Sequence, residues 1–157
     1  MFILKFVHKV RLMPANFHLS PVSWHTHSTQ LKAVRQQVFV IEQQVPTDLE
    51  WDELDEAAQH LLALNHVGEP IGCARLLANG SIGRMAVLKA WRGRGIGTAL
   101  LNRAVAIHQQ QGAQTIQLSA QMHAIPFYAK AGFVVCSQPY LDANIMHVDM
   151  RLTAAKS

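Results

Sequence analysis

Apolar and polar positions change their spacing several times along the chain, and each change marks an element. Val22 to Thr26 alternates as a short strand, after which Ser28 or Thr29 can cap a helix carrying Leu31, Val34, Val38 and Phe39 on one side. Gln59 to Val67 and Ile71 to Leu77 read as strands joined by the turn Gly68-Glu69-Pro70. Asn79-Gly80 is a two-residue hairpin signal leading into a third strand that ends near Leu88. These three strands predict an antiparallel meander. Thr98 to Gln110 then switches to a helical period, with Ala99, Leu100, Ala104 and Ile107 apolar, and Gly112 ends it. Thr115 to Ala120 reads as a strand, Pro126 to Ala131 as a short helix stopped by Gly132, and Phe133 to Ser137 and Ile145 to Leu152 as closing strands. Strand and helix alternate only in the second half, so the expected fold is a mixed sheet flanked by helices.

A chain of 157 residues, half of them apolar and 15% charged, suits one folded domain rather than a disordered chain. Residues 1–20 stand apart. Phe2, Ile3, Phe6, Val7 and Val10 fall at helical spacing with Lys5, Lys9 and Arg11 between them. The basic residues interrupt any membrane span, and the segment reads as a loosely ordered extension before a domain at 21–157. The alternative is a basic amphipathic helix that touches a membrane or a partner. Cys73 and Cys136 sit in apolar runs as small hydrophobes, which without a secretory signal points to a reduced, cytoplasmic protein.

Charge changes the picture more than composition does. Seven of the ten carboxylates lie between Glu42 and Glu56, whereas Pro70 to Leu141 has none and holds seven of the fourteen Lys and Arg residues. A basic nucleic-acid binder would interleave aromatics with exposed cations. Here the cations gather at a turn and its flanking strands, which suits a polyanionic small ligand. The turn is Arg92-Gly93-Arg94-Gly95-Ile96-Gly97, between a strand and a helix, where glycines let a ligand approach backbone N–H groups at the helix's positive end. It is not a phosphate loop of the G-K-S/T kind, because no such triplet occurs. Nor is it a dinucleotide turn, because no acid follows at about twenty residues. His25-x-His27 would face one side of a strand, but two ligands without a third predict no metal.

The remaining pattern, R-x-x-G-x-G preceded by Met85-Ala86-Val87, resembles the pyrophosphate loop of the GCN5-related N-acetyltransferase (GNAT) superfamily. A second stretch, A-I-P-F-Y-A-K-A-G-F from Ala124 to Phe133, resembles that superfamily's tyrosine signature. V-F-V-I-E-Q (Val38 to Gln43), Asp52 with Asp55, Ala58, His60 and I-M-H-V-D-M resemble its ElaA-type branch, although Asn144 and Met146 stand where that branch has glycine and proline.

The resemblance implies a splayed, mostly antiparallel mixed sheet of six to seven strands with about four helices, and acetyl-CoA as co-substrate. Met85, Ala86 and Val87 would pair with the pantetheine arm. Arg92, Gly93, Arg94, Gly95, Ile96, Gly97 and Thr98 would form the pyrophosphate loop. Arg75, Arg84 and Arg103 would either assist there or be solvated or paired surface residues. Tyr128 is then the general acid, since a phenol can protonate a leaving thiolate, and the Val87 N–H the oxyanion donor. Glu42, His60 and His147 are the candidate bases or acceptor contacts, with structural strand histidines as the other reading of His60 and His147. The acidic run would draw cationic amines of a small molecule or a protein, with Trp51 stacking on the substrate or pinning its loop. A homodimer is compatible with this reading. The alternative is a catalytically silent acyl-CoA-binding or sensing module.

Overall fold

The structure, a computed structural model, describes residues 16–155. The amphipathic pattern from Phe2 to Val10 lies outside the described residues, whereas Phe17 to Ser20 already belong to the first strand.

Strand β1 (Phe17–Ser23) runs into helix α1 (Trp24–Arg35), which continues as a π-helix over Gln36–Glu42. A four-residue helix α2 (Thr47–Glu50) follows, then the meander β2 (Gln59–Asn65), β3 (Pro70–Leu76) and β4 (Ser81–Val87). Helix α3 (Ile96–Gln110), β5 (Thr115–Gln121), α4 (Ile125–Lys130), β6 (Val134–Val135), β7 (Tyr140–Asp142) and β8 (Ile145–Thr153) complete the domain. The strands form one sheet in the order β1-β2-β3-β4-β5-β8-β6, with β7 also on β8. All pairs are antiparallel except β4 with β5.

Successive side chains of β2 point to opposite faces and meet different helices. Leu61 and Ala63 pack with Ile96, Leu100 and Ala104 of α3, while Leu62 packs with Leu31 and Val34 of α1. Covered on both faces, β2 and β3 read as almost continuous apolar runs.

Three local expectations change. The strand expected at Val22 to Thr26 lies earlier, because the Ser23 hydroxyl accepts from Thr26 N–H at 3.2 Å and starts α1 at Trp24. His25 and His27 are therefore two residues apart at a helix start and share no strand face. The strand expected at Phe133 to Ser137 shrinks to β6, and a β7–β8 hairpin appears instead. Its turn places Ala143 and Asn144 at φ 49° and 62°, and Asn144 tolerates that left-handed geometry where the branch has glycine.

Candidate active site

The site begins where the sheet opens. β4 and β5 are in register only at Ser81 with Gln117 and Ile82 with Leu118, and beyond Ile82 they diverge. β4 also carries a bulge, since Cys73 faces Ala86 while Arg75 faces Gly83, with Arg84 at φ 46° between. Past the bulge, Leu88 N–H donates to Ile71 O at 2.9 Å. By the alternation of an antiparallel ladder, Val87, opposite Gly72, turns its N–H and C=O away from β3 and toward the gap.

A 3₁₀ turn, Lys89–Trp91, then leads to the glycine loop, where Gly93 and Gly95 take φ of 75° and 82°. A Cβ at either would meet nothing within 4 Å, so the loop is an open cradle. Gly95 caps α3 with no side-chain hydrogen bond, leaving first-turn N–H groups facing outward. The Arg94 guanidinium lies 4.5 Å from the Trp91 ring centre, and α4 closes the far wall with Phe127 and Tyr128.

Two cavities meet on β4. One, of about 390 Å³, lies between Met85 to Val87, the glycine loop, Phe127 and Tyr128. The other, of about 670 Å³, runs from the π-helix across β4 and β5 to the β7–β8 turn. Met85, Ala86, Val87, Arg92 and Tyr128 border both. Burial alone pushes the Tyr128 hydroxyl up to about 12.

Of the three acid–base candidates, Glu42 and His147 border the larger cavity and His60 does not. His60 is 1% exposed, packs on the Trp24 ring and places Nε2 2.8 Å from Asp55 O. Burial lowers its pKa, and it is a core residue on β2 that borders neither cavity. Glu42 is gripped by Arg92, with Nη2 to Oε1 at 2.9 Å and Nη1 to Oε2 at 2.8 Å. That hydrogen bond holds the carboxyl below its ordinary range, and Lys89 adds to the effect. His147 faces the cavity with Nδ1 2.7 Å from Ile145 O. Since a carbonyl only accepts, Nδ1 is the donor, and in the neutral imidazole that leaves the lone pair on Nε2.

The acidic run and the basic strands form one buried ion network. Arg35 holds Glu50 and Asp55, each at 2.7 Å, Arg75 holds Asp52 and Asp55, and Arg84 reaches Glu50 and Asp52. Arg75 and Arg84 are therefore paired with carboxylates, as the second reading had them, and most of the run's core charge is neutralised. Arg103 is exposed on α3 and borders neither cavity. Trp51 lies beneath Arg35, its ring centre 5.0 Å from the guanidinium carbon, and pins the loop.

The structure adds residues to which the sequence reading gave no role. Gln43 and Gln121 exchange amide hydrogen bonds at 3.1 and 2.8 Å across the open sheet. Tyr140 stacks on His147 and is held by Ser119 and by Asp149, the latter at 2.6 Å. Among the described residues no group of His, Cys, Asp and Glu is arranged to hold a metal ion, and no helix is long and apolar enough to cross a membrane.

A sheet that splays beside a glycine cradle and an uncapped helix end is the architecture of the acyl-CoA N-acyltransferases. Residues 26–154 match the family model described as an acetyltransferase (GNAT) domain, and the chain belongs to that family. It is 38% identical over 122 residues to the uncharacterized N-acetyltransferase YjcF of Bacillus subtilis (strain 168), covering 74% of this chain and 86% of that protein. It is 30% identical over 128 residues to protein ElaA of Escherichia coli (strain K12), covering 76% and 83% of the two, which supports the ElaA-like branch. The crystal structure of an acyl-CoA N-acyltransferase from Pseudomonas aeruginosa is similar at a TM-score of 0.77 and 31% identity, covering 86% of this chain and 98% of that one. GNAT enzymes take an acyl-CoA co-substrate and an amine acceptor.

Proposed function

We propose that the protein transfers an acetyl group from acetyl-CoA to a primary amine of a small molecule or protein by direct attack. The observation that carries this reading is the junction of two cavities at Val87 and Tyr128, one walled by an anion cradle and the other by acid–base side chains.

The cradle fits the co-substrate. Open space at Gly93 and Gly95 and the uncapped start of α3 suit a pyrophosphate against the N–H groups of Arg94 to Thr98. The unpaired edge of β4 at Met85, Ala86 and Val87 suits an amide-bearing arm. Bound there, acetyl-CoA supplies an activated thioester.

His147 is the base that the geometry favours, because its Nε2 lone pair takes a proton from the acceptor's ammonium. Glu42 is a carboxylate and a weaker base than an imidazole for that step, with or without Arg92 beside it. The amine then attacks the thioester carbon, and charge on the carbonyl oxygen meets the Val87 N–H. As the carbon–sulfur bond breaks, Tyr128 donates to the departing sulfur. Held at about 12, the phenol stays protonated at neutral pH. Full transfer to a thiolate of ordinary pKa, roughly 8.5, runs uphill. Tyr128 therefore acts chiefly as a hydrogen-bond donor to the departing sulfur; the excess proton left on the new amide nitrogen passes to the thiolate, and His147 releases the first proton to solvent. The free thiols Cys73 and Cys136 support a reducing, cytoplasmic location.

The test is thiol release from acetyl-CoA against a panel of amines and peptide N-termini. Tyr128→Phe should keep its CoA affinity and lose roughly 10²-fold or more in kcat. Tight CoA binding with no amine consumed would instead identify an acyl-CoA-sensing module.

A further inference from the structure

One guanidinium joins the two halves of the site. Arg92 borders both cavities, its Nε donates to Val87 O at 3.0 Å, and its two Nη atoms grip Glu42. It thereby occupies a backbone acceptor on the edge where the cofactor arm would pair. It also saturates a carboxylate that faces the acceptor cavity.

We propose that Glu42 recognises the ammonium group of the acceptor, and that Arg92 withholds it until the cofactor's pyrophosphate draws the guanidinium away. This rests on the acyl-CoA reading above. Among the described residues, three carboxylates border the larger cavity: Glu42, Glu50 and Asp142. Glu50 is 3% exposed and already shared between Arg35 and Arg84. Asp142 is exposed at the end of β7, as Glu42 is on its helix, but among the described residues it holds no cation that the cofactor could take from it. Glu42 alone sits beside the reaction strand with a partner that the cofactor can take.

The exchange is feasible because the pair is accessible. The Arg92 and Glu42 side chains are 42% and 32% exposed, so their bond is a weak, screened one. A pyrophosphate offers the same fork more charge, with α3's dipole already directed at it. Once freed, Glu42 lies beside Val38 and Phe39 of the same π-helix, with Val45, Ile82 and Ile145 on the other walls. The cavity is mixed, and a freed Glu42 beside the apolar patch of Val38, Phe39, Val45, Ile82 and Ile145 suits a primary amine whose ammonium meets the carboxylate and whose apolar body lies on that patch, such as an alkylamine or arylalkylamine. Glu42 orients the cation, and His147 then removes its proton.

The test follows the Glu42 carboxyl by ¹³C NMR across pH in the full chain, free, with CoA, and with pantetheine, which lacks the pyrophosphate. Free protein should show Glu42 titrating below the ordinary range. CoA should move it back up, pantetheine should not, and Arg92→Ala should titrate normally without either. Glu42→Gln should bind CoA up to about fivefold more tightly, equivalent to about 1 kcal/mol. With CoA saturating, phenethylamine should perturb the Glu42 signal, and Glu42→Gln should weaken phenethylamine binding about tenfold while Asp142→Asn changes it less than twofold. Glu42 titration unmoved by saturating CoA would refute the handover. A Glu42 signal indifferent to phenethylamine in the CoA complex would refute the ammonium assignment. A protein that binds no CoA at all would sink the acyl-CoA reading itself.

Discussion

Arg35 shows how far one buried charge can shape this protein. At 1% exposure its Nε bonds Glu50, its Nη1 bonds Asp55, and its Nη2 bonds Glu50 O at 3.0 Å. Its guanidinium also lies against Trp24 and Trp51. Burial works against its charge, and the two carboxylates outweigh that, so its pKa is raised. Replacing it leaves two buried carboxylates without their main partner. Arg35→Met should cost about 3–5 kcal/mol by urea denaturation, and Arg35→Lys should recover little because an ammonium lacks the fork. Acid sensitivity has a defined sign here. Burial opposes ionisation of Asp52, yet Arg75 and Arg84 prevail, so its folded pKa lies below the ordinary 3.8. A depressed carboxylate contributes stability above its unfolded pKa and loses it as pH falls through the lower, folded value. Burial raises Glu50 and gives it the opposite slope. The urea midpoint of the wild type should therefore fall more steeply below about pH 4 than that of Asp52→Asn.

At the scale of elements, what could be read in advance was what is contiguous. Asn79-Gly80 announces its hairpin, and the structure shows why: Asn79 Oδ1 accepts from Ser81 N–H at 3.0 Å, and a Cβ on Gly80 would lie 2.9 Å from Thr115 O. The strand, glycine loop and helix from Ser81 to Gln110 were legible for the same reason. The start of α1 was not, because Ser23, Ser28 and Thr29 can all cap and only packing chooses among them. The bulge puts its positive φ on Arg84 rather than on the neighbouring Gly83, and the π-helix depends on a one-residue shift in hydrogen bonding, Gln43 N–H to Val38 O. Site contacts such as Gln43 with Gln121 and Arg92 with Glu42 join residues 78 and 50 apart, so only the closed fold reveals them. The glycine loop itself yields a test that separates backbone strain from ligand contact. Gly95 has φ 82° and room for a methyl group, so Gly95→Ala should cost only the left-handed backbone, about 1–2 kcal/mol. Its Cβ would nevertheless project into the cradle. CoA affinity by calorimetry should fall at least tenfold while the melting temperature drops by only a few degrees.

The whole molecule is a sheet in two halves, and its function depends on how loosely they are joined. β1 to β4 and β5 to β8 each pair along most of their length, but the seam between β4 and β5 holds two register pairs. Helix α3 packs chiefly on β2, β3 and β4, so it does little to close the open end of that seam. The Gln43–Gln121 amide pair is the direct bond across it on the acceptor side. A ligand seated in the gap against β4, the glycine loop and α4 supplies contacts that the seam lacks. CoA at one hundred times its Kd should add about 2.7 kcal/mol to folding stability, which for a domain of this size raises Tm by roughly 5–11 °C. The gain should be uneven along the chain. Amide exchange should slow most at Met85 to Val87, at the start of α3 and in α4, and least on β1 and β2, far from the gap. Gln43→Ala should leave the Tm shift with CoA intact but speed exchange in the π-helix and at the end of β5. If exchange there is unchanged, the amide pair is only a surface contact and the seam is held by β4 and β5 alone.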